Sequence, residues 1–315
     1  MIPESYRNSK AANVSSLKRL GISPAHYVEY LERPPADKPE WVMGRATHCL
    51  TLEPQHFDQR YTVIEEKPSK ASGPEWDAFE AGRAVPLPPT IKSRRGKAWE
   101  AFKAEQDEAG RVVLIRSEWD KCQAWAGYLA LVGDREILTA AQERDARAMA
   151  EAVRNDAAAM RYLSAPWAQT RVETPIEWVD ASTGILCKGI PDMTYPGTLV
   201  DLKTARDIDS RAMGRQAASL EYAAQLAFYH DGLIALGHEV EHVAMICVEK
   251  SRPHDVGVFT LDADDLAAGR DSYRGWLRTL AACRKSGKWP GRYNGLEQPL
   301  ALPSWYLDPD DSLQF

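Results

Sequence analysis

The chain has 315 residues, 44% of them hydrophobic and 27% charged, enough to bury a substantial core and still carry a subsidiary lobe or long insertions. Its formal net charge of −6 argues against a protein that coats nucleic acid nonspecifically, because phosphate binding relies on clustered Lys and Arg, so any such contact must be local. No apolar run approaches the ~20 residues needed to cross a bilayer, and the opening MIPESYRNSK lacks the layout of a signal peptide, so a soluble, cytoplasmic protein without a membrane partner is expected.

In chain order, Ser15 to Glu32 reads as two short helices broken by Gly21 and Pro24 and stopped by Pro34 and Pro35. WVMGRATHCLTL, from Trp41 to Leu52, has helical character, carries His48 and is closed by Glu53-Pro54. Lys67 to Pro89 is rich in Pro, Ala and charge with weak periodicity and reads as a connecting loop or flap, followed directly by Lys92, Arg94, Arg95 and Lys97. Trp99 to Gly110 is a helix ended by glycine, Val112 to Ile115 a short strand, and Ser117 to about Ala165 mostly helical.

From residue 172 the periodicity changes. VETPIEWVD, GILCKGIPDMTY and TLVDLKTA, separated by Ala181-Ser182-Thr183-Gly184 and by Pro196-Gly197, read as three strands of a meander. Leu220 to Leu236 is an amphipathic helix stopped by Gly237. HVAMICVEK and VGVFTLD supply two more strands, and Asp262 or Asp264 caps a helix running to about Lys285. The expected fold is α/β: a central mixed sheet flanked by helices, with N-terminal helical additions. A single structural domain is expected overall, with 1–165 as its helical N-terminal part, 166–290 as the core and 291–315 as an irregular tail.

The hairpin carries the chemistry. Asp192 lies four residues before Pro196 and Asp201 four residues after Gly197, so a reversal at Pro196-Gly197 sets the two carboxylates opposite each other on adjacent strands, with a one-residue slip left open. Like charges facing across a sheet repel unless a cation sits between them, and a hard divalent cation is the natural candidate. Strand side chains alternate, so Lys203 points the same way as Asp201 while Val200, Leu202 and Thr204 point into the other layer. Two carboxylates and an ammonium in one volume suit phosphodiester hydrolysis. Oxygen ligands select Mg²⁺, with Mn²⁺ as a substitute, and the ion polarises the phosphoryl oxygen and activates a water. Lys203 should stay charged beside two carboxylates and act by positioning and electrostatics rather than as a neutral base.

GIPD at 189–192 followed by DLK at 201–203 resembles the PD-(D/E)xK nuclease signature, and QLAFY at 225–229 resembles the QxxxY motif of its RecB-type and lambda-exonuclease-type branches. GRATHCLTLEPQHF at 44–57, VETPIEWVDASTGILCKGIPD at 172–192 and EYAAQLAFYHDGL at 221–233 are similar to the nuclease domain of the RecE-like exonucleases. The resemblance spans roughly residues 15–305. It implies that His48 completes the metal shell with Asp192, Asp201 and the carbonyl of Leu202. It further implies that Glu173 helps hold metal-bound water or a second ion, and that Gln225 and Tyr229, with Tyr222 on the same helical face, border the site. It also implies 5′-to-3′ resection of duplex DNA ends in phage or prophage recombination, a ring-shaped homo-oligomer and a single-strand annealing partner of the RecT type.

Blander readings stand beside these. A lone DxK is common by chance; His48 alone would read as a satisfied helix histidine, Glu173 as a strand glutamate like Glu177, and Gln225 and Tyr229 as residues of a packed helix. Lys92, Arg94, Arg95 and Lys97 either grip a DNA backbone or terminal phosphate or are a solvated helix start. Arg45, one turn before His48, is a further candidate for a 5′-phosphate contact, and Trp76 for stacking against a DNA end. The five cysteines, Cys49, Cys122, Cys187, Cys247 and Cys283, lie singly; iron–sulfur nucleases sharing this core need three clustered after it, so no iron–sulfur cluster is expected. The alternatives to a duplex exonuclease are a nuclease of the same chemistry on single-stranded or branched DNA, and a non-catalytic DNA-binding scaffold.

Overall fold

The structure is a computed structural model that describes residues 3–36, 38–92, 94–302 and 306. Contacts divide the chain into two compact units, one formed by 1–37 with 151–315 and the other by 38–150. This differs from the expected division at residue 165: the N-terminal helices pack with the sheet, and 38–150 forms a unit of its own.

The first unit begins with α1 (Glu4–Asn8), α2 (Val14–Leu20) and α3 (Pro24–Glu32). Asn13 caps α2 by accepting from the Ser16 N–H, and Ser23 caps α3 by accepting from His26 ahead of Pro24, whose fixed φ suits a first helical position. Leu17 and Leu20 are buried, which seats α2 in the core.

The second unit holds α4 (Pro39–Leu52), α5 (Phe57–Arg60), β1 (Tyr61–Val63), α6 (Pro74–Glu80), β2 (Ala84–Pro86), α7 (Lys97–Glu108), β3 (Val112–Leu114), α8 (Arg116–Val132) and β4 (Glu136–Leu138), and the unit boundary falls inside α9 (Ala140–Asn155). β1 pairs with β4 and β2 with β3, both parallel. The stretch expected as a loop, 67–89, therefore contains a helix and a strand. Ala71 and Ala78 are buried, and Trp76 stacks on Phe79 with ring centroids 5.9 Å apart, packing that the weak periodicity did not reveal.

Returning to the first unit, α10 (Ala157–Leu163) leads into β5 (Arg171–Val172), β6 (Ile176–Val179), β7 (Leu186–Gly189), β8 (Met193–Tyr195), β9 (Gly197–Ala205), α11 (Ser210–Ser219), α12 (Tyr222–Ala235), β10 (Val240–Glu249), β11 (Val256–Leu261) and α13 (Ala263–Ser286). The main sheet has the order β11-β10-β9-β8-β5, with β9 and β10 parallel and the other pairs antiparallel. The expected three-strand meander is split: β6 and β7 form a separate hairpin, and the chain breaks at Ile190 to Asp192, where Pro191 has no N–H to give a ladder, before β8 rejoins the main sheet.

On β9 and β10, Leu199, Ala205, Val243, Met245 and Cys247 share a core with Leu226, Phe228 and Leu233 of α12 and with Leu277 and Leu280 of α13. Two glycines allow close approach there. A Cβ on Gly269 would lie 2.3 Å from the Ala223 carbonyl oxygen, and one on Gly232 2.8 Å from the Trp178 ring. Between α12 and α13, Asp231 accepts from Tyr273 Oη at 2.6 Å, from Arg270 Nε at 2.9 and 3.0 Å and from Arg274 at 3.1 Å, with His230 Nδ1 at 2.9 Å. Asp262 and Asp265 form a capping box on α13, which ends at Gly287 with φ 68°. Among the described residues no helix is long and apolar enough to cross a membrane. Within the tail, 291–302 has no helix or strand, and most of 303–315 lies outside the described residues.

Candidate active site

The site grows from the hairpin β8–β9. Pro196 and Gly197 occupy its tip, Gly197 at φ 77°, a value that glycine takes without steric cost. The pairs Tyr195↔Thr198, Thr194↔Leu199 and Met193↔Val200 fix a register whose next step places Asp192 opposite Asp201, as the spacing from the turn implies and without a slip. Asp192 stands just before β8, and its Oδ2 accepts from the Leu202 N–H at 2.7 Å, so one carboxylate reaches across and holds the partner strand. β5 continues the arrangement. Arg171↔Thr194 and Val172↔Met193 lead to Glu173, whose N–H donates to the Asp192 carbonyl at 2.9 Å. Glu173 takes φ 42°, the left-handed region in which a residue with a Cβ is strained, and such strain concentrates at functional sites.

Asp201 is 1% exposed, and Lys203 Nζ lies 2.6 Å from its Oδ2. Gln225 of α12 donates from Nε2 to Asp201 Oδ1 at 3.4 Å. One turn on, the Tyr229 ring fills the space above Gly189, where a Cβ would meet Cε1 at 2.6 Å. Tyr222, at the start of the same helix, presents its ring 5.3 Å from Lys203 Nζ. The sheet, the GIPD segment and α12 thus bring Asp192, Asp201, Lys203, Gln225 and Tyr229 together.

Charge at the site is finely opposed. Burial pushes the Asp192 carboxyl above the usual carboxylate range, against the pull of Lys203 and the Leu202 N–H. For Lys203 burial works against the charge, but Asp201 and Asp192 outweigh it and hold the ammonium above the ordinary lysine value. Burial, then Asp201, raises the Tyr229 hydroxyl, which stays protonated. The two carboxylates thus favour the ammonium form of Lys203, suited to orienting a water or stabilising developing negative charge.

The donor set of Asp192, Asp201 and the Leu202 carbonyl is all oxygen, which fits a hard divalent cation. Among the described residues no group of three or more His, Cys, Asp or Glu side chains is arranged to hold a metal. His48 lies half-buried on α4 in the other unit. The remaining candidates belong to that unit as well. Arg45 pairs with Glu136, with Nη2 2.6 Å from the carboxylate. Arg94 pairs with Glu118 at 2.8 Å and donates to the Val113 carbonyl. Lys92, Arg95 and Lys97 are exposed.

One residue was missed by sequence reasoning. Lys18 of α2 donates to the Leu220 carbonyl at 2.7 Å and lies 6.0 Å from the Tyr222 ring, the ring that also carries Lys203. No local pattern announces it, because its hydrogen bond joins positions 202 residues apart.

A family model described as a PDDEXK-like domain of unknown function (DUF3799) matches residues 128–298. Curated proteins give no match. The chain is also similar to a crystal structure from Eubacterium rectale described as a candidate exonuclease, at 13% identity over 98% of each chain with a TM-score of 0.47.

Proposed function

We propose, from the premise that this chain belongs to the PDDEXK-like domain family, that it is a divalent-metal-dependent exonuclease acting on the ends of duplex DNA. The observation that supports the reading is the clustering at the β8–β9 hairpin, where Asp192 Oδ2 accepts from the Leu202 N–H at 2.7 Å and Lys203 Nζ lies 2.6 Å from Asp201. A Mg²⁺ or Mn²⁺ ion, when bound, would polarise the scissile phosphoryl group and lower the pKa of a coordinated water. The chain's own residues supply the rest. Asp192 and Asp201 offer the anionic oxygens that hold the ion, and the Leu202 N–H fixes the orientation of Asp192. Lys203, held cationic, faces the charge that develops on the phosphoryl oxygens. Gln225 orients Asp201, and the protonated Tyr229 closes the apolar side.

The finer attributes rest on the motif resemblance: 5′-to-3′ polarity, a role in phage-type recombination in the cytoplasm, a ring-shaped homo-oligomer and a RecT-type annealing partner. So does His48 as a metal ligand. His48→Ala should then shift the Mg²⁺ titration to higher concentration by roughly tenfold or more, and an unshifted titration removes His48 from the shell.

Digestion of linear duplexes labelled at the 5′ or the 3′ end, beside a closed circle, tests the main reading. Loss of label from linear DNA, with the circle untouched and with dependence on Mg²⁺ or Mn²⁺, is expected. Nicking of the circle points to internal cleavage, and inertness of a folded protein with both metals sinks the catalytic reading.

A further inference from the structure

We infer that Lys18 is a substrate-contacting residue that binds a backbone phosphate of the DNA adjacent to the phosphate held at Asp192, Asp201 and Lys203. The inference rests on the nucleic-acid substrate proposed above and goes beyond it by assigning a second cationic position, on an element far away in sequence.

The geometry places two ammonium groups against one aromatic ring. Lys203 Nζ lies 5.3 Å and Lys18 Nζ 6.0 Å from the Tyr222 centroid. Tyr222 opens the helix that carries Gln225 and Tyr229, so the second cation borders the same face of α12 as the carboxylate pair. Lys18 is held in place from below: Leu17 and Leu20 on either side of it are buried, Asn13 caps the helix, and the Leu220 carbonyl receives one of the three N–H donors of the ammonium. Leu220 is exposed and Lys18 half-buried, so their contact lies at the edge of the protein surface rather than in the core.

A lysine that serves only to tie α2 to the start of α12 would be expected to have its charge matched by a carboxylate. Among the described residues Lys18 has no ion pair; its partners are a neutral carbonyl and a ring face. Its surroundings oppose its charge. Burial first, and Lys203 second, lower its pKa to about 8, with only partial relief from Asp201 and Glu221. A cation in that position gains from an arriving anion. A phosphodiester backbone presents one anionic phosphate per nucleotide, so a strand that places one phosphate at Lys203 brings a neighbouring one within the reach of a second lysine. The Tyr222 ring is within cation–π range of both ammonium groups.

The test uses the whole 315-residue chain in metal-free buffer, so that a short blunt DNA duplex binds without being cut. Amine acylation of the wild type, read by peptide mass spectrometry, is expected to label Lys18 readily because of its lowered pKa, and saturating duplex is expected to suppress that labelling several-fold. Duplex affinity is then measured against salt for the wild type, Lys18→Met and Lys18→Arg. Lys18→Met should bind more weakly, with a slope of log K against log salt shallower by about 0.9, the loss of one phosphate contact, and Lys18→Arg should restore the slope. Labelling unchanged by duplex overturns the inference, and because it is read on the wild type it does so even if a variant fails to fold. A folded Lys18→Met protein with the wild-type slope overturns it too. A wild type that leaves DNA intact with both metals while duplex still protects Lys18 sinks the nuclease reading and supports the assignment of Lys18.

Discussion

Asp201 and Asp231 lie in the same unit and both touch α12, yet they are surrounded in opposite ways. Asp231 meets two arginines, a tyrosine hydroxyl and a histidine. Burial alone would raise its pKa, but hydrogen bonds from His230, Arg270 and Tyr273 and the charge of Arg270 hold it well below the usual carboxylate range. The pair Asp192 and Asp201 has Lys203 at ion-pair distance, and burial holds Asp192 above that range. One aspartate is saturated with cations and clamps two helices. The other two lie beside a single buried lysine, Lys203, which is 2.6 Å from Asp201. A carboxylate that clamps two helices is ringed by arginines of its own chain, whereas the pair proposed to hold an ion sits in a buried pocket where desolvation opposes charge on Asp192.

The contrast can be broken from either side. The largest effect is expected at the hairpin: Asp201→Asn or Lys203→Ala should lower DNA cleavage by roughly 10³-fold or more, while circular dichroism and thermal unfolding show an intact fold. Asp192→Asn should leave the melting temperature unchanged or higher, since it removes a buried charge. A marked fall in melting temperature would mean that the pair is structural. On the other side, Asp231→Ala should cost roughly 3 kcal/mol of stability by leaving Arg270 and Arg274 without their shared partner, with cleavage per folded molecule unchanged.

That clamp also sets an acid limit. A carboxylate whose folded pKa is depressed contributes stability that is complete above the ordinary aspartate value of about 3.9 and fades as the pH falls through it. The stability gap between wild type and Asp231→Ala, followed by denaturant titration, should therefore be flat near neutrality and shrink below about pH 4. A gap that is the same at acid and neutral pH would show that the charge of Asp231 is irrelevant. The smallest effect is expected at Gly189→Ala, where a methyl displaces the Tyr229 ring. About 1–3 kcal/mol of overpacking and a moderate loss of cleavage should appear together, and a loss of stability alone would detach Tyr229 from the chemistry.

Much of the hairpin was legible from spacing, because a two-residue Pro-Gly turn and strict alternation determine which residues face each other. The long elements were legible too, though α12 is apolar on most of its surface rather than amphipathic as expected, while α13 has an acidic cap before it and a glycine after it. The break at Pro191 was harder to see, since GILCKGIPDMTY reads as one continuous strand and only the missing N–H of proline hints that β7 and β8 join different sheets. In 67–89 short elements are held by aromatic packing rather than by their own pattern. Arg45 and Arg94 looked like open cations until their carboxylates, Glu136 and Glu118, arrived from distant positions. Lys18 stayed hidden for the converse reason, because its partners are a carbonyl and a ring, which leave no trace in a charge pattern.

The β8–β9 register also limits how this sequence can change over time. The separation of the two carboxylates is counted in paired residues from the turn. Adding one residue to each arm would move the tip outward by about 3.4 Å and keep the pair together. Adding one to a single arm would shift Asp192 against Asp201 and Lys203, whose own places are also fixed by pairing with β10, and so take the carboxylates out of step. Length variation in this hairpin should therefore come in symmetric steps, and a screen of insertions at Pro196-Gly197 would read catalytic survival as a parity rule.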